Sequence, residues 1–451
     1  MTDQIKLSVK DFRAIKRADI KLNGITVVSG VNGCGKSTLS KFVYHMFKFA
    51  NEYDDIVLEH LRVSLYDIFR FLSIIERESL IQGINSHTFL DYKNNRDYLI
   101  SDYLVEKREE LILHIELAVS KFTDKYTENQ SDDRSAVTRL INVLQNTLNV
   151  SRSSTMIDDF DVLINQLYIQ INKLFYDALE GVSVRPKSLI LDEFDSVFYD
   201  FVTPDKFNIS EYGVPIISST SNTIQIAHSV QNIAYIDTPM LLGLKLSDVV
   251  KHWDDLNGFL KYKNHKKIQF GNLGINNIIQ NEIVGGETDF EEETGLVSLD
   301  NFLFKRNDGS VFNLLECATG VKSFSILQLL LKNGFLTKNT LLIIDEPEAH
   351  LHPQWIVEYA RMIVLLNKEV GVKFFIASHS PDMVSAIKYI SEKEQTTQNL
   401  EYYLAEQTED NPYLFNYKSL GTNIDPIFES FNIALDRINQ YGISNESNDL
   451  F

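Results

Sequence analysis

Two stretches of this chain place residues fit for phosphate and water chemistry at the ends of apolar runs. The first is Gly30-Val31-Asn32-Gly33-Cys34-Gly35-Lys36-Ser37-Thr38. It fills the pattern G-x-x-x-x-G-K-[ST] between an apolar run, Ile25 to Ser29, and a segment of helical periodicity. Gly30, Gly33 and Gly35 let backbone N–H groups turn inward and cradle phosphates, with Asn32 inside the loop and Thr38 closing it. A helix starting near Lys36 points its positive end at them. Lys36 is placed to reach the β- and γ-phosphates and Ser37 to offer a hydroxyl to Mg²⁺. The second stretch runs from Leu341 to Pro353, Leu-Leu-Ile-Ile-Asp-Glu-Pro-Glu-Ala-His-Leu-His-Pro. Four apolar residues in a row read as a strand buried on both faces, and Pro347 stops it. Asp345 is set to face a metal ion and Glu346 a water, beyond the carboxyl end of a strand where open α/β sheets place their ligands.

The elements that must hold these residues follow from periodicity. Residues 4–10 and 18–22 alternate apolar and polar as half-exposed strands, and 25–29 reads as a buried one. From Phe42 to about Arg185 there is no proline, and Leu104, Leu111, Ile112, Ile115 and Val119 recur at helical spacing. No heptad pattern persists long enough for an extended coiled coil, so a compact helical insertion is expected. Ser188-Leu189-Ile190-Leu191-Asp192-Glu193 imitates the strand-acid pattern. It lacks a following proline–histidine run and is read as a strand or helix end carrying surface acids. Ile233 to Pro239 is a further short strand ending in an acid. The run Lys261 to Lys267 is the densest in cations and reads as a solvated loop, with a nucleic-acid contact as the alternative. Residues 283–315 alternate around the turn Arg306-Asn307-Asp308-Gly309-Ser310, a hairpin signal. Ala318-Thr319-Gly320-Val321-Lys322-Ser323 leads into an apolar helix over 324–331. A helix is expected over 359–366 and a buried strand over 372–377, the latter closed by Ser378-His379-Ser380-Pro381. The tail carries a strand at 400–405 and a helix at 426–440, and fraying is expected over 443–451.

Size and charge set outer bounds. At 451 residues the chain exceeds one ordinary domain, and 44% hydrophobic content supports a substantial core. A net charge of −19 does not steer the whole molecule to nucleic acid. Such contact would need a local patch, for which Lys6, Lys10, Arg13, Lys16 and Arg17 are the candidates. Cys34 and Cys317 are the two cysteines and form no disulfide or metal pattern. No leader-like segment opens the chain, and no apolar run approaches the roughly 18 residues that span a bilayer. The expectation is a cytoplasmic protein without membrane contact.

Four stretches stand in order: the phosphate loop, Thr319 to Lys322, the strand ending in Asp345 and Glu346, and the strand ending at Ser378-His379-Ser380-Pro381. Together they resemble the ABC-type ATPase heads of the SMC, RecF and overcoming-lysogenisation-defect group. The resemblance implies an α/β fold, an ABC-type P-loop NTPase head with a mixed sheet and a mainly helical insertion. It divides the chain into the first part of the nucleotide-binding domain (1–45), the insertion (46–185), the second part (186–395) and a tail of the head (396–451). It implies ATP and Mg²⁺ as ligands, Asp345 as the metal carboxylate, Glu346 as the general base and His379 as the γ-phosphate sensor. Thr319, Gly320 and Lys322 would form the signature turn that meets the γ-phosphate of a partner copy. They depart from the family's LSGGQ form: Thr319 stands for the serine, Val321 for the second glycine and Lys322 for the glutamine. His352 stands where transport ATPases carry an aspartate. The implied assembly is a homodimer or higher homo-oligomer joined through ATP.

The residues after Ile390 show no D-x-D following an apolar strand, so no nuclease centre is expected in this chain. The plan resembles the ATPase components of anti-phage systems such as Septu and PARIS, which act with a separately encoded nuclease or toxin. A RecF-like DNA-binding repair ATPase is the alternative, and a scaffold that binds ATP with slow turnover is a third reading.

Overall fold

The computed structural model describes residues 5–92, 98–128, 134–148, 158–190, 204, 206–237, 242, 251–261, 271–292, 300–349 and 351–429. It divides into two compact units, one of Glu52–Glu193 and one of Met1–Asn51 with Phe194–Phe451.

The Glu52–Glu193 unit is helical: α2 (Tyr53–Ser64), α3 (Tyr66–Ser79), α4 (Ile100–Glu128), α5 (Arg134–Thr147) and α6 (Asp158–Val184). The helical spacing of Leu104, Leu111, Ile115 and Phe122 lines one face of α4, and these side chains are buried. They pack toward α3 and α6, the latter contributing Leu167, Ile171 and Phe175. Glu76 is buried in this core and its Oε1 lies 2.8 Å from His114 Nε2. Of the strand or helix end expected at this point, the described part is helical. Lys187–Ile190 is a turn of 3₁₀ helix, begun by Pro186, whose carbonyl accepts from the Leu189 amide. Pro186 donates no N–H and its fixed φ favours this turn over a strand. Asp192 and Glu193 lie outside the described residues.

The other unit is built on a ten-stranded sheet, ordered β5-β4-β1-β2-β13-β12-β3-β11-β10-β6. The strands are β1 (Ile5–Phe12), β2 (Ile15–Lys21), β3 (Ile25–Ser29), β4 (Lys206–Glu211), β5 (Val214–Ser218), β6 (Asn232–Ile236), β10 (Thr340–Asp345), β11 (Lys373–Ser378), β12 (Leu400–Gln407) and β13 (Phe415–Gly421). Strands β12, β3, β11, β10 and β6 run parallel, whereas β5, β4, β1 and β2 pair antiparallel. Every residue of β3, β10 and β11 is buried because helices cover both faces. On one face α1 (Lys36–Asn51) packs on β6, β10 and β11. The other face carries Ile25, Val27, Leu342, Ile344, Phe374 and Ile376. It packs with α7 (Lys251–Lys261), α9 (Thr319–Lys332), α10 (Pro353–Val370) and α11 (Pro381–Lys393).

A second sheet, β7 (Gly286–Glu292), β8 (Asp300–Arg306) and β9 (Val311–Asn313), is antiparallel and turns at the expected Arg306–Ser310. It is tied to α9 by Thr288, whose amide donates to Gln328 Oε1 at 2.8 Å. Between α8 (Gly271–Ile278) and β7 one turn is π-helical, Ile279–Val284. Helix α10 begins six residues before the expected 359, because Pro353 suits a first helical position and His352 caps it. Strands β4, β5 and β13 have no counterpart in the sequence pattern. Residues 262–267 of the basic run and 430–440 of the tail helix lie outside the described residues.

Candidate functional site

The site grows from strand register. Ser29 of β3 pairs with Ser378 of β11, and Ala377 of β11 pairs with Asp345 of β10. Three neighbouring parallel strands therefore end level, with β11 between the other two. Two strand spacings, about 10 Å, separate the phosphate loop leaving β3 from the acids leaving β10. His379 leaves β11 in the middle.

The loop's glycines are set by geometry. At Gly35 φ is +96°, and a Cβ there would lie 2.9 Å from Ile15 Cγ1. At Gly30 it would lie 2.8 Å from the Ala405 Cβ and 2.9 Å from Cys34 Sγ. At Gly35 the backbone thus runs against β2 and at Gly30 against β12, with no room for a side chain at either position. Lys36 is buried, and its Nζ donates to the carbonyls of Gly30 at 2.9 Å and Val31 at 3.2 Å. Asn32, Gly33 and Ser37 are exposed and Thr38 is half-buried. The Tyr417 hydroxyl donates to the Cys34 carbonyl at 3.2 Å, fixing the outer turn of the loop. Burial pushes that phenol well above its ordinary pKa, so it stays a donor.

Asp345 is buried at the end of β10. Its Oδ2 accepts from the Tyr235 hydroxyl at 3.1 Å, and Oδ1 is buried with no hydrogen bond among the described residues. Burial raises its carboxyl pKa, and the Ser37 hydroxyl and Tyr235 oppose that rise. Ser37 is near enough to favour the charge, although no hydrogen bond of normal geometry joins the two. Tyr235 is itself pushed upward, by burial first and by the Asp345 charge second.

Glu346 has φ of +52°, a left-handed conformation uncommon for a residue with a Cβ. Its amide donates to the Ala377 carbonyl at 2.8 Å. That bond holds the backbone in place while the left-handed turn directs the chain away from the strand. Strain of this kind, about 1–3 kcal/mol, persists where the surroundings over-determine it, and it clusters at functional sites. His379 Nδ1 lies 3.5 Å from Glu346 Oε1 and 3.2 Å from Glu348 Oε1, off the line of a straight hydrogen bond in each case.

The residues expected as the signature turn are placed elsewhere. Thr319, Gly320 and Lys322 begin α9, with Ala318 at the N-cap. A Cβ on Gly320 would lie 2.7 Å from Trp355 Cε3 and 3.2 Å from Leu351 Cδ2. Among the described residues no hydrogen bond or ion pair joins this turn to the phosphate loop. His352 caps α10, its Nδ1 accepting from the Gln354 amide at 3.4 Å; His350 lies outside the described residues.

Sequence reasoning missed three residues of the site. Glu348 stood in plain view within Asp-Glu-Pro-Glu, and Tyr235 within the short strand 233–237. Tyr417 had no local signal.

The donor set suits Mg²⁺. One buried carboxylate with an unpaired oxygen and one hydroxyl would form the protein share of a site that phosphates and water complete. Among the described residues no cluster of three His, Cys, Asp or Glu could hold a metal alone. The same residues also contain no helix long and apolar enough to cross a membrane.

Strand order, loop and helical insertion define an α/β fold with a phosphate-loop motif, a mixed sheet and a mainly helical insertion. The model of the AAA ATPase domain matches residues 5–384, and the chain belongs to that family. No curated protein matches it. Among solved structures it is similar to the Smc head domain of Pyrococcus furiosus, with an extended coiled coil and bound to the C-terminal domain of ScpA. That match has 12% identity over 96% of this chain and 98% of that one, with a TM-score of 0.32. It is also similar to the SMC head domain from Thermotoga maritima, at 9% identity over 93% of this chain and 99% of that one, with a TM-score of 0.36.

Proposed function

We propose that the protein binds ATP with Mg²⁺ and hydrolyses it as a nucleotide-driven switch. The observation that carries this reading is the level ending of β3, β11 and β10, which gathers Gly30–Thr38, His379, Asp345 and Glu346 on one rim. The loop amides of Gly30, Asn32, Gly33, Gly35, Ser37 and Thr38 surround the phosphates, and Lys36 swings from the Gly30 carbonyl to meet them. Ser37 and Asp345 hold Mg²⁺, which supplies charge neutralisation at the phosphates. Glu346 takes the proton of the attacking water, and His379 senses the terminal phosphate. Thr319, Gly320 and Lys322 serve the site of a second copy.

The finer reading is a dimeric or higher-order switch that controls a separately encoded nuclease or toxin in phage defence. It rests on the architectural resemblance to Septu- and PARIS-like ATPases. In the test, Lys36→Ala abolishes ATP binding by calorimetry, and a pull-down of the effector differs between Lys36→Ala and Glu346→Gln. Unchanged ATP affinity in Lys36→Ala refutes the site.

One observation favours the RecF-like alternative. Strand register sets Lys206, Lys10 and Arg17 side by side across β4, β1 and β2, with Lys6 opposite Lys21 on the same exposed face. Asp19 is the acid among them and pairs with Arg17 at 2.5 Å. This face is basic in an acidic protein. DNA-stimulated hydrolysis that falls steeply with salt would move the reading to DNA.

A further inference from the structure

Glu348 is a buried carboxylate that the chemistry above does not use. It lies three residues beyond Asp345, in the turn that follows β10, and its side chain is 7% exposed. An acid so enclosed needs partners to keep its charge. Its Oε1 accepts from Ser378 Oγ at 2.9 Å and from the His379 amide at 2.9 Å, and lies 3.2 Å from His379 Nδ1. Ser378 Oγ in turn accepts from the Ser380 amide at 3.1 Å. One oxygen therefore gathers the whole Ser378-His379-Ser380 turn at the end of β11. The other, Oε2, is buried with no hydrogen bond among the described residues.

We infer that Glu348 is the positioning residue of His379. Its Oε1 holds the turn by the His379 amide and Ser378, and draws the proton of the imidazole to Nδ1. Glu346 Oε1, 3.5 Å from the same nitrogen, acts in the same sense. A proton kept on Nδ1 leaves Nε2 as the nitrogen free of carboxylates, and among the described residues Nε2 makes no hydrogen bond. Carboxylates behind a working histidine fix its tautomer and ring direction in this way. The ring also couples the two acids, so a shift of Glu346 from its left-handed conformation is felt by His379 and by the turn Glu348 anchors. The role assigned to His379 rests on the ATPase reading, whereas the placement of its proton does not.

The test has two independent arms. In the whole wild-type chain labelled with ¹⁵N-histidine, two-bond proton–nitrogen spectra report the neutral tautomer of His379, its signal assigned with His379→Ala. The Nδ1–H form is expected, and a dominant Nε2–H form overturns the inference whether or not the protein hydrolyses ATP. In the second arm Glu348→Gln keeps the side-chain shape and an acceptor but removes the charge. It should lower kcat roughly tenfold or more while KM for ATP stays within about twofold. Added to His379→Ala it should change kcat by less than about twofold, because the positioned ring is already gone. A loss that multiplies fully with that of His379→Ala would show that Glu348 acts independently, and would overturn the inference. Absence of Lys36-dependent hydrolysis in the wild type would instead refute the ATPase reading and leave the tautomer arm to decide.

Discussion

Asp345→Asn should make the protein more stable while removing Mg²⁺-dependent nucleotide binding. The carboxylate is buried, Oδ1 has no hydrogen bond among the described residues, and burial raises its pKa above the ordinary 3.8. A native carboxyl with a raised pKa holds its proton more tightly than the unfolded chain does. Between 3.8 and the raised value, stability therefore falls as pH rises, and above that window the full cost of the buried charge is present. Asparagine keeps an acceptor for the Tyr235 hydroxyl, now 3.1 Å from Oδ2, and carries no charge. An unsatisfied buried group costs about 1–3 kcal/mol, more when charged. The new amide donors recover part of that at best, so a net gain of about 1–2 kcal/mol is expected. Urea denaturation at pH 7.5, without nucleotide or Mg²⁺, measures it as a higher midpoint with unchanged slope. Repeated at pH 5, the gain should be smaller, because native Asp345 is closer to protonation there. A variant less stable than wild type at pH 7.5 would refute the reasoning from burial.

Glu346→Gln should bind ATP with wild-type affinity yet stop turnover, and light scattering should show an ATP-dependent dimer accumulating; hydrolysis at the wild-type rate removes Glu346 as the base. Gly35→Ala adds a contact of 2.9 Å to Ile15 at φ +96°. It should cost about 2–5 kcal/mol in urea unfolding from strain and overpacking together. Gly33→Ala, at φ +82° with open space around it, should cost only about 1–2 kcal/mol; equal losses would show that the packing of the loop on β2 is immaterial. Mixing Lys322→Glu subunits with Lys36→Ala subunits should restore about one working site per mixed dimer, since neither copy lacks both halves. If the mixture stays inactive, the shared site is wrong.

Much of the head was legible because burial on two faces writes itself into sequence. Leu341 to Ile344 and Phe374 to Ala377 are continuous apolar runs, the pattern of a strand covered on both sides. The hairpin at Arg306–Ser310 and the helix after Gly35 follow local turn and periodicity rules of the same kind. Strand β13 was not legible. Phe415-Asn416-Tyr417-Lys418 alternates too briefly, and its partners β2 and β12 lie on either side of it only in the folded sheet. Lys187–Ile190 left strand and helix both open in the sequence because an apolar run beside acids has the same composition whether the backbone extends or coils, and Pro186 settled it locally.

Residue order alone determines which side chains are candidates for chemistry and what flanks them: a lysine and two hydroxyls after a glycine loop, two acids at the end of one strand, a histidine after another. Those patterns are local, and local sterics and burial enforce them. Only the tertiary structure decides that the three strand ends are level and that Tyr235 supports Asp345. It alone sets Glu346 at a left-handed φ and places His379 between two carboxylates. These depend on the register of strands far apart in the chain, where a shift of one residue would turn every side chain to the opposite face.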